Sequence, residues 1–449
     1  MKPPASPPDH DELLSRLIQD RSKRDVLWNV AHSAPGAAYE HWDKVRFRKP
    51  FPPLTPAEMW AAIKFGRRSG RTTLPLIDKT GRAFHFVLIP DFLRALHEID
   101  SNARGLIGMP GKAASAEGRD IYLQKSLVEE PFSSSALEGA ATTREIAKKL
   151  IEEGRKPKTL DEKMVLNNYL AMSFIREHRD EALTPATILE LHRILTVDTL
   201  ERPEKVGVLR TPEDDVRVVE SVTGETLHTP PPAKDLAKRL EALCAFANAP
   251  STGKGDFLHP VIRAIVLHFM LAYDHPFWDG NGRCARALFY WCVLRHSYWL
   301  LEYVSISSVI RRAPTKYGMA FLYSETDEGD LTYFIEHQLD VVGTALADLQ
   351  KYLLAKSREL HKLGQALGAL EQRLNRRQLP IIQDALKRDA ARYTIAEHAK
   401  LHSVSYLTAR ADLESLVNLD LLKKTKEGVL SVYLVPRDLK ERLERLGKG

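Results

Sequence analysis

The sequence predicts a mainly α-helical protein. A helical bundle carries one β-hairpin flap, a mostly helical extension precedes it, and a small separate domain follows it. Three observations carry that prediction. From 121 to 355 apolar residues recur at helical spacing with few breaks. The one long exception is 205–232, "KVGVLRTPEDDVRVVESVTGETLHTPPP", which holds the β-leaning "VRVV", turns at Gly224 and ends in three prolines. Residues 379–449 read as three helices followed by a hairpin, and they carry their own charge balance.

The elements follow in order. Residues 1 to about 35 are Pro-rich and then charged, which predicts a loose arm with a short helix near 10–27. Thr55 can cap the next helix, with Pro56 in its first turn and Glu58 as a first-turn acid. "LPLIDKTGRAFHFVLI" reads as two short strands around a Lys-Thr-Gly turn, and "DFLRALHEIDSNA" returns to helix. The expected divisions are 1–120 for the extension, 121–355 for the bundle, 356–378 for a charged connecting helix and 379–449 for the last domain.

Hydrophobic residues make up 44% and charged residues 28%, the balance of a water-soluble globular chain. The net charge of +6 permits an acidic partner without demanding one. From 371 onward there are 16 Lys and Arg against 11 Asp and Glu, so most of that surplus sits at the C-terminal end. Three helices and a hairpin in this order suggest a winged helix-turn-helix. Its recognition helix would start near Ser405, with Ser403, Ser405, Thr408 and Arg410 exposed, and its wing would carry Lys423, Lys424 and Lys426. DNA is one partner such a surface fits, and another protein chain is the other. Cys244, Cys284 and Cys292 lack metal-ligand spacing, so a reducing, cytoplasmic compartment is the simple reading. No apolar signal region opens the chain, and the longest apolar runs are broken by His268 and Arg295, so no membrane partner is expected.

The stretch that carries chemistry is "HPFWDGNGRCAR", residues 275–286, set between two apolar helices. Gly280 and Gly282 permit positive φ and expose backbone amides, and Asn281 between them tolerates the left-handed region. Amides at a helix start cradle anions. Arg283 and Arg286 are three apart on the new helix and share a face, so two guanidiniums stand above the cradle. Asp279 is a hard oxygen ligand suited to Mg²⁺ beside phosphates. His275 is the candidate general base. A glycine-rich cap with surface arginines would explain the Gly-Asn-Gly alone, but not the whole set between two core helices. His192 and His268 sit in apolar helical contexts and read as core histidines, and His259 before Pro260 reads as a cap.

These residues resemble the motif of the Fic (filamentation-induced-by-cAMP) family, His-x-Phe-x-Asp/Glu-Gly-Asn-Gly-Arg-x-x-Arg, with no departure at His275, Phe277, Asp279, Gly280, Asn281, Gly282, Arg283 or Arg286. "VGVLRT", "LTPATILELHRIL" and the segment ending "HTPPP" are similar to the family's core and flap, so the resemblance spans about 230 residues, 121 to 350. It implies a Fic-type bundle and a protein adenylyltransferase. His275 would take the proton of a Tyr, Thr or Ser hydroxyl on a target protein, and the oxygen would attack the α-phosphate of ATP. Asp279 would hold Mg²⁺. Gly280, Asn281 and Gly282 would hold phosphates with Arg283, and Arg286 would grip the γ-phosphate. The kinase-like Doc branch has lysine at the second motif glycine; Gly282 here favours nucleotidyl transfer.

Upstream, "SSALEG" resembles the family's inhibitory motif, with Ser134, Glu138 and Gly139. The resemblance implies that Glu138 pairs with Arg286 and removes the γ-phosphate clamp. Helix capping is the plainer reading of Ser-x-x-x-Glu. The flap, through Val216, Val218, His228 and Thr229, would receive a target segment as an added strand. Two other readings stay open: removal of AMP from a modified target at the same site, and a nucleotide-sensing DNA-binding regulator. A homodimer, if formed, would put inhibition under concentration control.

Overall fold

The computed structural model describes residues 2–34, 38–103, 127–220, 223–250, 257–370, 374–386, 391–427 and 430–446. It divides into two compact units between Gln350 and Lys351.

In the first unit α1 (His10–Gln19) and α2 (Arg21–Ser33) are separated only by Asp20. Asp9 caps α1 by accepting from the Asp11 and Glu12 amides, and Asp20 caps α2 through Ser22. After α3 (Trp42–Val45), α4 (Pro56–Arg68) starts on a reciprocal Thr55–Glu58 capping box with Pro56 at its first position. The arm is not loose, contrary to the sequence expectation. Leu14, Leu17, Leu27 and Val30 bury against Met59 and Trp60 of α4. Proline content suggested an unpacked tail; the apolar stripes of α1 and α2 outweigh it, because burying a leucine contributes about 2 kcal/mol.

Strands β1 (Arg71–Ile77) and β2 (Ala83–Val87) form an antiparallel hairpin. The Asp78 carboxylate fastens its turn by accepting from the Thr80 and Arg82 amides. Helix α5 (Pro90–Ala103) follows. The expected boundary at 120/121 lies outside the described residues.

The bundle comprises α6 (Glu129–Leu137), α7 (Arg144–Glu152), α8 (Leu160–Glu177), α9 (Pro185–Thr196), α10 (Leu236–Asn248), α11 (Pro260–Asp274), α12 (Asn281–Arg295), α13 (Ile306–Arg312), α14 (Pro314–Thr326) and α15 (Thr332–Leu370). Strands β3 (Val218–Val219) and β4 (Thr226–His228) make the flap, paired antiparallel between α9 and α10. Helices α11 and α12 form the centre. Every residue of α11 except Ala272 is buried, as is α12 from Arg283 to Leu294. The polar turn 275–280 therefore hangs between two buried helices. No helix among the described residues is long and apolar enough to cross a membrane.

The expected connecting helix at 356–378 is not a separate element. Helix α15 runs unbroken for 39 residues, from inside the bundle to Leu370. In the second unit α16 (Gln378–Ala385), α17 (Ile395–His402) and α18 (Tyr406–Asn418) pack with a three-stranded antiparallel sheet of order β5-β7-β6. Its strands are β5 (Arg392–Thr394), β6 (Lys423–Glu427) and β7 (Leu430–Leu434), and α19 (Leu439–Leu446) closes the chain. Ile382, Leu413, Leu416, Leu421, Tyr433 and Leu443 form the centre of this unit's core. Strand β5 and helix α19 were not read from the sequence. One has three residues, and the other, "LKERLERL", is mostly charged.

Candidate active site

The polar turn begins at His275, which ends α11 in the left-handed region with φ 46° and ψ 55°. The sequence placed positive φ at Gly280, Asn281 and Gly282; the structure places it at His275 and Gly280. A non-glycine residue there costs on the order of 1 kcal/mol, so something must hold it. Arg210 does. Its Nε donates to the His275 carbonyl at 2.7 Å, its Nη2 to the Pro231 carbonyl at 2.6 Å, and its backbone amide to the Pro276 carbonyl at 2.9 Å. The His275 Nδ1 lies 3.1 Å from the Ala272 carbonyl. A carbonyl can only accept, so Nδ1 carries the proton and the Nε2 lone pair is the free one. Burial pushes this imidazole down to about 4, against the upward pull of the Ala272 carbonyl. It is neutral at pH 7.

Gly280 is the N-cap of α12 at φ 82°, and a Cβ there would run into Thr196. Asn281 is helical, not left-handed, and its side chain is spent on the turn. Its Oδ1 accepts from the Phe277 amide and its Nδ2 donates to the Phe277 carbonyl, both at 2.9 Å. Only its backbone amide, among the first of the helix, is left to face a ligand. Gly282 is also helical, and its role is clearance: a Cβ would collide with the Glu138 carboxylate. Asp279 is half exposed at 53%, with one oxygen accepting from the Gly280 amide at 2.6 Å and the other 3.6 Å from Arg283 Nη2. Arg283 is buried, and its Nη1 donates to the Leu195 carbonyl at 3.0 Å.

Arg286 is buried and meets α6. Its Nη2 lies 2.8 Å from Glu138 Oε1 and 3.1 Å from the Ser134 carbonyl, and its Nε donates to Ser134 Oγ at 2.9 Å. Ser134 and Glu138 are four apart, one helical turn, on the same face. Gly139 explains where that turn stops. At φ 93° it ends the helix, with the Ala140 amide on the Ser135 carbonyl and its own amide on the Ala136 carbonyl. Burial works to raise the Glu138 carboxyl, but Arg286 and Arg283 outweigh it and hold the group below its ordinary range.

The flap residues separate. Val216 and Val218 are half-buried, and Thr229 is exposed. His228 is not a docking surface: it is buried, with Nδ1 2.6 Å from Glu325 and Nε2 2.7 Å from the Tyr273 carbonyl, so it anchors β4.

Residues 182–293 match the model of the Fic/DOC family. That segment is a Fic domain. Among curated relatives, Protein adenylyltransferase Fic of Nematostella vectensis is 24% identical over 246 residues, covering 54% of this chain and 52% of that protein. Protein adenylyltransferase Fic of Drosophila virilis is 25% identical over 311 residues, covering 62% and 56%. This chain thus spans about half the length of the curated relatives it matches. The solved structure of a Fic family protein from Desulfovibrio desulfuricans G20 has a TM-score of 0.53 at 17% identity, covering 78% of this chain and 98% of that one, a likeness of fold.

The Fic motif thus folds with three supporting groups whose partners the sequence did not give. His192 was read as a core histidine and is one, buried with both ring nitrogens bonded. It accepts from the Gly207 amide at Nδ1, 3.0 Å, which places its proton on Nε2, and Nε2 donates to the Asp279 carbonyl at 2.9 Å. Its ring stacks on Phe277 at 3.7 Å. Arg210 sits in "VGVLRT" without any local sign of its grip on the His275, Pro231, Pro276 and Asp274 carbonyls. Glu130, fully buried, accepts from Ser305 Oγ at 2.8 Å and from the Ser307 amide and hydroxyl at 3.1 and 2.5 Å, so it ties the start of α6 to the start of α13.

Proposed function

We propose that this Fic protein is a self-inhibited adenylyltransferase that moves AMP from ATP to a Tyr, Thr or Ser hydroxyl of a target protein. The observation that carries the reading is one turn holding a neutral histidine, a left-handed glycine cap at a helix start and two buried arginines. His275 Nε2 takes the hydroxyl proton. The oxygen bonds to the α-phosphorus, the bond from that phosphorus to its bridging oxygen breaks, and pyrophosphate leaves. The amides at the start of α12 face the phosphates, Arg283 supports the β-phosphate, and Arg286 holds the γ-phosphate so that the α-phosphate lies in line. Positioning and charge neutralisation supply most of the acceleration in such transfers.

Asp279 fits Mg²⁺. It is a half-exposed carboxylate with one oxygen only loosely engaged, and Mg²⁺ is held by one or two carboxylates plus phosphates and water. Among the described residues no group of three or more acids, histidines or cysteines stands where it could hold a metal alone. The ion, when bound, neutralises phosphate charge. The inhibitory part of the reading rests on Glu138 taking the guanidinium that the γ-phosphate needs. The flap would present the target segment, through Val216, Val218 and Thr229. The three cysteines, all free and buried, suit a reducing cytoplasm.

The second unit we read as a winged helix, from three helices and a three-stranded sheet whose β6–β7 pair is the wing. Its DNA reading rests on charge, and Lys424 of the wing is already paired with Glu414. Duplex binding whose affinity falls steeply with salt tests it.

Incubation of the Glu138→Gly variant with labelled ATP and a cell lysate tests the transfer reading. Labelled protein lost on His275→Ala supports it. AMP release from modified proteins without transfer would favour the reverse reaction.

A further inference from the structure

The matched segment begins at 182, yet the catalytic turn is also held from residues 77–79. Arg239 of α10 has one guanidinium and two customers. It pairs with the buried Asp274, Nη2 to Oδ1 2.6 Å and Nε to Oδ1 2.8 Å. The same group donates to the carbonyls of Ile77 at 2.7 Å, the last residue of β1, and Asp78 at 3.3 Å, the first residue after it. Asp274 immediately precedes His275. A second link runs beside the first. The Lys79 amide donates to Tyr273 Oη at 3.1 Å, and Lys79 Nζ donates to the Thr229 carbonyl at 3.0 Å. Tyr273 lies in the last turn of α11, and Thr229 directly follows flap strand β4. The hairpin tip therefore touches both sides of the gap that an acceptor segment must enter.

We propose that the β1–β2 hairpin is a positioning element for transfer: Lys79 sets the Thr229 end of the flap, and Arg239 carries the hairpin's position to the Asp274–His275 turn. The gap between flap and base is then set from outside the matched segment, by an N-terminal element. Arg239 and Lys79 touch neither ATP nor acceptor and act through Thr229, Asp274 and Tyr273. The inference rests on reading His275 as the base.

The two links make separable predictions in a Glu138→Gly background, with labelled ATP and a pool of hydroxyl-bearing peptides as acceptor. Lys79→Ala removes one bond to the flap and raises the acceptor KM about fivefold, with the ATP KM unchanged, as loss of one hydrogen bond allows. Arg239→Lys keeps a cation beside Asp274 but cannot reach both the Ile77 and Asp78 carbonyls with a forked group. It lowers kcat about tenfold, the scale of a small misplacement of a reacting group, while the melting temperature holds. If Arg239 serves only to neutralise Asp274, the lysine suffices and kcat stays at the parent value. Parent-like kinetics in both variants overturns the proposal. Amide hydrogen exchange at Leu227 and His228 supplies a readout without turnover: it quickens in Lys79→Ala. An inactive Glu138→Gly parent would sink the transfer reading, and unchanged flap exchange would sink the positioning role by itself.

Discussion

Glu138 and Arg286 stand 148 positions apart in the chain and 2.8 Å apart in space, carboxylate against guanidinium. Arg286 donates two further bonds to Ser134 of α6, so that helix holds the guanidinium at its Nε as well as its outer edge. A phosphate oxygen entering the site competes with Glu138, not with Ser134. On the proposed reading, a dianionic terminal phosphate would displace this single charge-assisted partner, and the contact would act as a switch rather than a permanent block.

The latch of α6 should matter as much as its tip. Glu130→Gln replaces a carboxylate that accepts three bonds with an amide whose NH₂ faces donors, at a cost of about 1–3 kcal/mol in a buried site. Loosening of α6 should raise basal labelling from ATP, by less than Glu138→Gly does. Quantitative autoradiography of the three proteins checks the order; wild-type labelling by a folded Glu130→Gln variant would show that α6 stays docked without the latch.

Gly282 and Glu138 should be energetically coupled. A Cβ on residue 282 meets the Glu138 carboxylate, so Gly282→Ala should lower thermal stability in the wild-type background by about 1 kcal/mol. With Glu138→Gly already present that penalty should vanish. A double-mutant cycle on melting temperatures measures it, and strictly additive effects would mean the two positions do not meet.

The pH profile should be displaced to acid. His275 is held at about 4 by burial, and a base works only unprotonated. Acidification should therefore leave pyrophosphate release nearly constant from pH 7 to about 5 and reduce it tenfold per unit only below about 4. An acid limb centred on 6.5 would show that His275 titrates as an exposed imidazole does.

His192 should prove to be a support of the turn. His192→Phe keeps a ring on Phe277 but leaves the Asp279 carbonyl and the Gly207 amide without partners, a loss of about 2 kcal/mol. Chemical denaturation should register the loss, with transfer reduced as the turn relaxes. Full stability and activity in this variant would return His192 to the ordinary core.

How far the sequence could be read depends on how local each signal is. "HPFWDGNGRCAR" packs base, acid, glycines and arginines into one turn, so the spacing alone announces a site. Its internal roles are less legible. An asparagine between glycines suggests a left-handed residue, yet Asn281 folds the turn by bonding Phe277, and His275 takes the positive φ instead. Supports that arrive from elsewhere in the chain leave no local trace. Arg210, His192 and Arg239 look like any arginine or histidine on a helix or loop until the backbone carbonyls they hold are brought to them. The flap's His228 illustrates the same limit, since period-two alternation says which face it shares and not that Glu325 waits there. Charge composition suggested a connector at 356–378, but charged residues are good helix formers and α15 simply continues through them as far as Leu370.

The competition for Arg286 is tested most directly by incorporation of label from ATP into protein, compared among wild type, Glu138→Gly and Glu138→Gly/His275→Ala. The account predicts that Glu138→Gly raises labelling by at least about tenfold, the equivalent of some 1.4 kcal/mol of released competition, and that the added His275→Ala change abolishes it. Equal labelling by wild type and a correctly folded Glu138→Gly variant would contradict it.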